Sequence, residues 1–414
     1  MVSCSRYRRS MVLSVFLIII VGILALSNRS EHAPAVALLQ DQYPLLWDRV
    51  HTFNGQGGAW YLPPTWSQPL TRPRNILEAA RVAVHASNFT DPDRHIAHSN
   101  IPLIVHQTWG TRHIDTWSEG LRRSTEKWLQ YVVDGNMAYF LWEDDGMLQL
   151  IDNCAPEFHG PYSSLASMVE KTDVFRIIVA KCIGGIYGDL DAEPLKSPDK
   201  WIVPEDILPW MDPETGVLYN STKPVGAIFG IEADCPPDGD TCWRMGYANS
   251  VQLTQWSFAS RREHPLLREY LNKFMDELQT IASQSGETLE SQAAQAKLQA
   301  LDPLTLTGPE AVTRAAQNWL EGLAGLRWNA LTGLQDGGKS KVVDDVLILP
   351  ITGFSPGRGR YGNMGSKPTT DPTARLVHHA QGSWKKFDLV VEFGKFCRTF
   401  LGLCENWSKV PHQT

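Results

Sequence analysis

The sequence predicts an α/β protein, an open mixed sheet flanked by helices, set behind an N-terminal transmembrane anchor. Three observations carry that class. From Ile101 onward, short apolar runs of strand length alternate with helical periodicities. Apolar residues make up 43% of the 414 residues and aromatics 10%, ample for a sizeable core. Met11 to Leu26 is an apolar run broken only by Ser14 and Gly22 and preceded by Arg6, Arg8 and Arg9.

Positive residues ahead of the apolar run keep an N-terminus cytosolic, so residues 1–10 are expected as a cytosolic tail and 11–27 as a signal anchor of type II topology. Small residues near Ala25 and Ser27 leave a cleaved signal peptide as the alternative. Residues 28–95 contain Pro34, Pro44, Pro63, Pro64, Pro69 and Pro73, scattered tryptophans and little periodicity, and read as a lumenal stem partly packed on the domain beyond it. Residues 96–395 form that main domain, in which Pro102 to His106, Ala138 to Trp142, Gly226 to Ile231, Val346 to Leu349 and Leu376 to His379 have strand character. Helical patterns cover Ser167 to Cys182, His264 to Ser283 and Pro309 to Leu323, and the Gln-, Ala- and Ser-rich Gln284 to Leu301 reads as a peripheral helical insertion. Residues 396–414 form a tail, and there is no internal repeat.

Charge and cysteines narrow the class. The net charge is −7, and since the first ten residues carry three arginines and no acid, the remainder carries −10. A surface of that sign argues against nucleic acid as a partner. Asn-x-Ser/Thr sequons stand at Asn28, Asn88, Asn220 and Asn406. With Cys4 on the cytosolic side, an even six cysteines remain for an oxidising compartment. Short loops favour Cys235 with Cys242 and Cys397 with Cys404, leaving Cys154 with Cys182, although any of these could be a buried thiol. No Cys-x-x-Cys occurs, which argues against a zinc site.

The chemistry concentrates in Gly184-Gly185-Ile186-Tyr187-Gly188-Asp189-Leu190-Asp191. Two carboxylates one residue apart can turn their oxygens to the same side of an extended backbone and hold a hard divalent cation. Gly184 and Gly185 let the chain leave the preceding helix and approach a ligand closely, while Ile186 and Leu190 can anchor the segment in a core. Asp173 and Arg176 stand three apart on one face of that helix, either as a surface ion pair or, given Val174, Ile177 and Ile178 around them, as a clamp for a sugar hydroxyl. Gly357-Arg358-Gly359-Arg360-Tyr361-Gly362 matches the dinucleotide pattern G-x-G-x-x-G. Pro356 before it, and the lack of a helix after it, make it a loop instead, either a plain solvated one or a mobile one that closes near phosphate or acceptor.

Asp173 to Asp191 resembles the DXD-containing sugar-binding region of glycosyltransferase family 32, and other segments agree with it. Ile101-Pro102-Leu103-Ile104-Val105-His106-Gln107-Thr108-Trp109 is similar to the family's opening strand and donor loop. Gln252 to Trp256, His264-Pro265, Thr307-Gly308-Pro309 and His378-His379-Ala380-Gln381-Gly382-Ser383-Trp384-Lys385 resemble segments of the fungal Golgi initiation-specific α-1,6-mannosyltransferases. The resemblance implies a GT-A-type nucleotide-diphospho-sugar transferase fold and retention of the anomeric configuration. Its donor would be GDP-mannose, its cation Mn²⁺ or Mg²⁺, and its acceptor an N-glycan on glycoproteins met in the Golgi membrane, alone or within a mannosyltransferase complex.

By the same resemblance Asp173, Arg176, Asp189 and Asp191 are the catalytic set. Trp109, Tyr187, Gln255, Ser383 and Trp384 join Asp173 and Arg176 around the donor. Asp189, Asp191 and one histidine would hold the metal. Adjacent residues of a strand point to opposite faces, so of His378 and His379 only one can reach it, and His378 is the expected one. Gln255 and Trp256 are expected to line the pocket, although Trp256 could equally be core, as could Trp109. Two rival readings stay open: a sibling enzyme mannosylating an inositol-containing sphingolipid, and a non-catalytic sugar-binding subunit of a Golgi complex.

Overall fold

The computed structural model describes residues 36–66, 72–87, 92–286, 288–358, 364–382, 387–405 and 407. The expected anchor at 11–27, the sequons at Asn28, Asn88 and Asn406, and Ser383 and Trp384 lie outside them. Among the described residues no helix is long and apolar enough to cross a membrane. The described residues from Tyr43 onward make one compact unit, and the Val36–Gln42 helix falls outside it.

The strands are β1 Gly58–Tyr61, β2 Ile104–Thr108, β3 Ala138–Trp142, β4 Gly185–Gly188, β5 Ala192–Pro194, β6 Trp210–Met211, β7 Leu218–Tyr219, β8 Ala227–Asp234, β9 Val251–Ser260, β10 Lys341–Val343, β11 Val346–Leu349 and β12 Leu376–His378. Eight of them build a central sheet in the order β1-β3-β2-β4-β9-β8-β11-β10. Its middle is mixed: β3, β2 and β4 run parallel, β9 is antiparallel to both β4 and β8, and β11 is parallel to β8. The expected α/β class is therefore realised as a large mixed sheet. Its inner strands are buried on every residue; β3 accordingly reads as an unbroken apolar run, whereas β2 and β9 carry buried polar residues such as His106, Gln107, Gln252 and Gln255.

Local signals account for the helices around the sheet. Ser167 caps the Met168–Cys182 helix in a reciprocal capping box with Glu170. The Pro265–Gln284 and Pro309–Ala324 helices begin with proline at the first helical position, where its missing N–H costs nothing. The expected insertion contains a Gln292–Ala300 helix capped by Ser291. The segment expected as a stem supplies β1, paired antiparallel to β3, and buries Val50, Trp60, Trp66, Ile76 and Ala83 in the common core. Isolated prolines and tryptophans concealed that contribution, because a four-residue edge strand leaves too short a periodicity to read.

Three disulfides occur among the described residues: Cys154–Cys182, Cys235–Cys242 and Cys397–Cys404. The first joins the ends of the Asp144–Cys154 and Met168–Cys182 helices just before the paired glycines. It ties down the segment that leads into the acids.

Candidate active site

The Met168–Cys182 helix delivers its chain to β4 through two glycines with positive φ, +78° at Gly184 and +113° at Gly185. A Cβ on Gly185 would lie 2.2 Å from the carbonyl oxygen of Ile104 and one on Gly184 2.8 Å from the Arg262 amide nitrogen, so the close approach is to the protein's own backbone, that of β2 in the case of Gly185. β4 then runs parallel to β2 and ends at Gly188, with Ile186 and Leu190 buried as anchors. Asp189 and Asp191 come next, at the carboxyl end of the strand, where open α/β sheets bind ligands. The amide of Asp189 donates to Trp256 O at 2.8 Å, and the Ala192 amide donates to Asp189 O at 2.9 Å, fixing the turn that holds both acids.

Arg176 crosses from the helix to this turn. Its Nη1 lies 3.2 Å from Asp173 Oδ1 and its Nη2 3.1 Å from Asp189 Oδ1, while its guanidinium sits 4.9 Å from the Tyr187 ring. Arg176 is 5% exposed and Asp173 7%, which removes the reading of a surface pair. Burial pushes the Asp173 carboxyl up to about 7 even though Arg176 opposes it. Burial also works against the charged form of Arg176, but Asp189, Tyr187 and Asp173 outweigh it and the guanidinium is held firmly protonated. Asp189 is likewise raised by burial against the pull of Arg176. Burial thus works against ionisation of both carboxyls that flank the one arginine.

The closing segment returns to the same place by sheet pairing. β12 lies antiparallel to β5, setting His378 opposite Ala192 and therefore beside Asp191. His378 Nε2 is 3.2 Å from Asp191 Oδ1, whereas His379 turns away to Glu193 at 2.9 Å. The Gln381 amide donates to Asp191 Oδ2 at 2.9 Å. Although burial raises Asp191, the His378 and Gln381 contacts more than offset it, and its carboxyl is lowered overall. On its other side His378 stacks on Trp256 with ring centroids 4.3 Å apart, and Trp256 Nε1 donates to Glu232 Oε1 at 3.3 Å. Glu232 also lies 3.5 Å from Arg358 Nη2, so the arginine of the glycine-rich loop reaches the flank of the site.

Other expected residues divide between the site and its support. Trp109 succeeds β2 as Asp189 succeeds the parallel β4, so both emerge at one sheet edge; Trp109 is half-buried and packs edge-on to Trp117 at 6.1 Å. Tyr187 is fully buried, its hydroxyl donating to Asp189 Oδ1 at 2.9 Å and lying 3.0 Å from Thr108 Oγ1, so it positions an acid from beneath. Gln255 does not line an open pocket. It is fully buried because Nε2 donates to Asp173 O at 3.3 Å and Thr307 O at 2.6 Å, knitting the helix to the Thr307-Gly308-Pro309 turn.

Three supporting residues escaped the sequence reading. Thr307 Oγ1 donates to Asp173 Oδ2 at 3.1 Å, Gln107 Nε2 donates to Asp189 O at 3.3 Å, and Glu232 anchors Trp256. Thr307 and Gln107 lie in recognised motifs, so their segments were visible though their roles were not. Glu232 has no local signal, because its partners arrive from β9 and from the loop near residue 358.

The residues fit a divalent cation. One ligand atom each from Asp189, Asp191 and His378 lies within 4.8 Å of the others, and buried His378 Nδ1 has no hydrogen-bond partner. Two carboxylates and an imidazole suit a Mn²⁺- or Mg²⁺-like ion better than a soft one.

Comparison with known proteins agrees with this geometry. Residues 118–208 match the family model of the glycosyltransferase sugar-binding region containing the DXD motif. The chain is 26% identical over 341 residues to the initiation-specific alpha-1,6-mannosyltransferase of Candida albicans, covering 79% of this chain and 75% of that protein. It is 30% identical over 299 residues to the Schizosaccharomyces pombe protein of the same name, covering 70% of this chain and 65% of that one. Against the Saccharomyces cerevisiae protein of that name the identity is 23% over 387 residues, covering 69% and 78%. The chain is a glycosyltransferase whose DXD sugar-binding region supplies the paired acids at the end of β4.

Proposed function

We propose that this enzyme is a metal-dependent, retaining mannosyltransferase of the GT-A type, transferring mannose from GDP-mannose to an N-linked glycan in α-1,6 linkage. The observation that carries the reading is the convergence of Asp189, Asp191 and His378 beside an arginine that joins Asp189 to Asp173. The names of the three fungal relatives support the sugar and the linkage. The apolar run from Met11 to Leu26 supports a type II anchor with the domain in the Golgi lumen.

Asp189, Asp191 and His378 would hold Mn²⁺ or Mg²⁺. When bound, such an ion neutralises the negative charge that grows on a leaving diphosphate. The chain's own part is orientation. Asp173 accepts from Thr307 and is locked by Arg176, so its carboxylate is presented at a fixed place for sugar hydroxyls. Trp256, pinned by Glu232, forms a flat wall against His378 and keeps that imidazole facing Asp191. Trp109, which follows β2 at the adjacent strand end, would cover the nucleotide base.

A donor screen tests the reading: several nucleotide sugars, each with Mn²⁺, offered to a mannose-terminated N-glycan, to free mannosides and to an inositol-containing sphingolipid. Turnover of GDP-mannose on the N-glycan is the expected result. Transfer to the sphingolipid alone would identify the sibling activity, and no turnover with any donor would favour a non-catalytic sugar-binding subunit.

A further inference from the structure

We propose a second metal site, formed by His51, His113 and Asp115, that takes a transition ion of the zinc class and clips the segment before β1 to the loop after β2. It shares no residue with the Asp189 cluster. His51 closes a π-helical turn, Trp47–His51, and its ring is fixed against Trp47 with centroids 4.3 Å apart. π-Turns interrupt regular helices at a cost and concentrate at functional positions. His113 and Asp115 come from the opposite side, at the cap and in the body of the short 3₁₀ turn Ile114–Thr116.

The polar atoms converge without satisfying one another. One ligand-capable atom from each residue lies within 4.8 Å of the other two. His51 Nδ1 and Asp115 Oδ1 stand 4.0 Å apart, too far for a hydrogen bond, and both are buried with no hydrogen-bond partner. Buried polar groups left unpaired call for a ligand or a water. His113, whose ring crosses that of His51 at 76° with centroids 6.2 Å apart, adds a third ligand beside that gap. Two imidazoles and one carboxylate suit Zn²⁺, Co²⁺ or Ni²⁺, with a coordination position left for solvent. The absence of a Cys-x-x-Cys gave no hint of it, since no cysteine takes part.

The framework is already rigid. Arg112, next to His113, donates from Nη1 to Phe53 O at 2.8 Å and Gly55 O at 3.0 Å, and from Nε to Glu143 Oε1 at 3.0 Å. The two segments that carry the ligands are therefore held together independently of any ion, as a preorganised site requires. The loop they clip contains Trp109, so the ion would stiffen the wall proposed for the nucleotide base.

The experiment uses the full-length chain in detergent with Asp189→Asn and Asp191→Asn introduced to silence the other cluster, stripped with chelator and titrated with Co²⁺ while visible d–d absorption is recorded. One equivalent of Co²⁺, displaced by Zn²⁺, is expected. His113→Ala and Asp115→Asn should each weaken uptake by more than about 10-fold. Zn²⁺ should raise the Tm of the parent and leave that of His113→Ala unmoved. Because His113 is exposed, its alanine variant should melt with the parent in EDTA, which separates loss of the site from loss of the fold. Absence of stoichiometric uptake, uptake indifferent to both substitutions, or uptake abolished instead by His378→Ala would each overturn the proposal.

Discussion

Arg176→Lys tests the centre of the site, because it keeps the charge and removes only the fork. The guanidinium reaches Asp173 at 3.2 Å and Asp189 at 3.1 Å from two different nitrogens. A lysine ammonium on a shorter head can meet one carboxylate well and not both. Losing one charge-assisted hydrogen bond costs about 1.5–3 kcal/mol. At an effective dielectric of about 20, a unit pair some 4 Å apart is worth about 4 kcal/mol, so most of the Coulomb attraction survives in the lysine. Stability should therefore fall by about 2 kcal/mol, visible as a lower urea midpoint at unchanged m value. The released Asp189 would sit wrongly for the cation and for the sugar, and kcat/KM should drop by about 10²–10³, equivalent to about 3–4 kcal/mol. Arg176→Met, which leaves buried Asp173 and half-buried Asp189 without a counter-charge, should cost about 3 kcal/mol of stability. Initial rates of donor turnover and urea melts decide the matter. Unchanged kcat/KM and midpoint in Arg176→Lys would mean that the arginine bridges nothing that matters.

Asp189→Ala and Asp191→Ala should abolish transfer while circular dichroism stays native, and EDTA should stop the wild-type enzyme until Mn²⁺ is added; chelator-insensitive turnover would remove the cation. His106 is fully buried, and burial lowers its pKa from 6.5 to about 4 although its bond to Gly184 O opposes this. The unfolded chain takes up a proton below about 6.5 while the folded chain resists until about 4. Stability is thus fully present above 6.5 and about 3 kcal/mol is lost as pH falls to 4. His106→Gln can still accept from Trp142 and donate to Gly184, so its stability should decline less over that window; an identical decline would exclude His106 as the cause. Gly185→Ala should fail to accumulate as folded enzyme because its Cβ meets Ile104 O, whereas Gly160→Ala, with nothing within 4 Å, should melt no lower than wild type. Sealed microsomes should protect everything beyond residue 27 from protease, and glycosidase treatment should shift the mobility through Asn88, Asn406 or the exposed Asn220; a digested, unglycosylated domain would reverse the topology.

What the sequence determined by itself is whatever one segment encodes alone. Ala138 to Trp142 and Val346 to Leu349 were legible to the residue, because a fully buried strand is an unbroken apolar run. The helix at Ser167 to Cys182 was legible from its apolar residues, and the short-loop cysteine pairs from closeness along the chain. The acids were visible for the same reason, since a spacing of two is local. Only tertiary structure decided what those groups meet. Register between β12 and β5 turned His378 toward Asp191 and His379 toward Glu193, a choice that one residue of slip would reverse. Sheet order placed β4 against β2 and β9, which pressed Tyr187 and Gln255 inward as supports and brought Arg176 between Asp173 and Asp189. Each of these contacts joins residues on different elements, and the free energy that sets them is the packing of the whole sheet, which no short window of sequence contains.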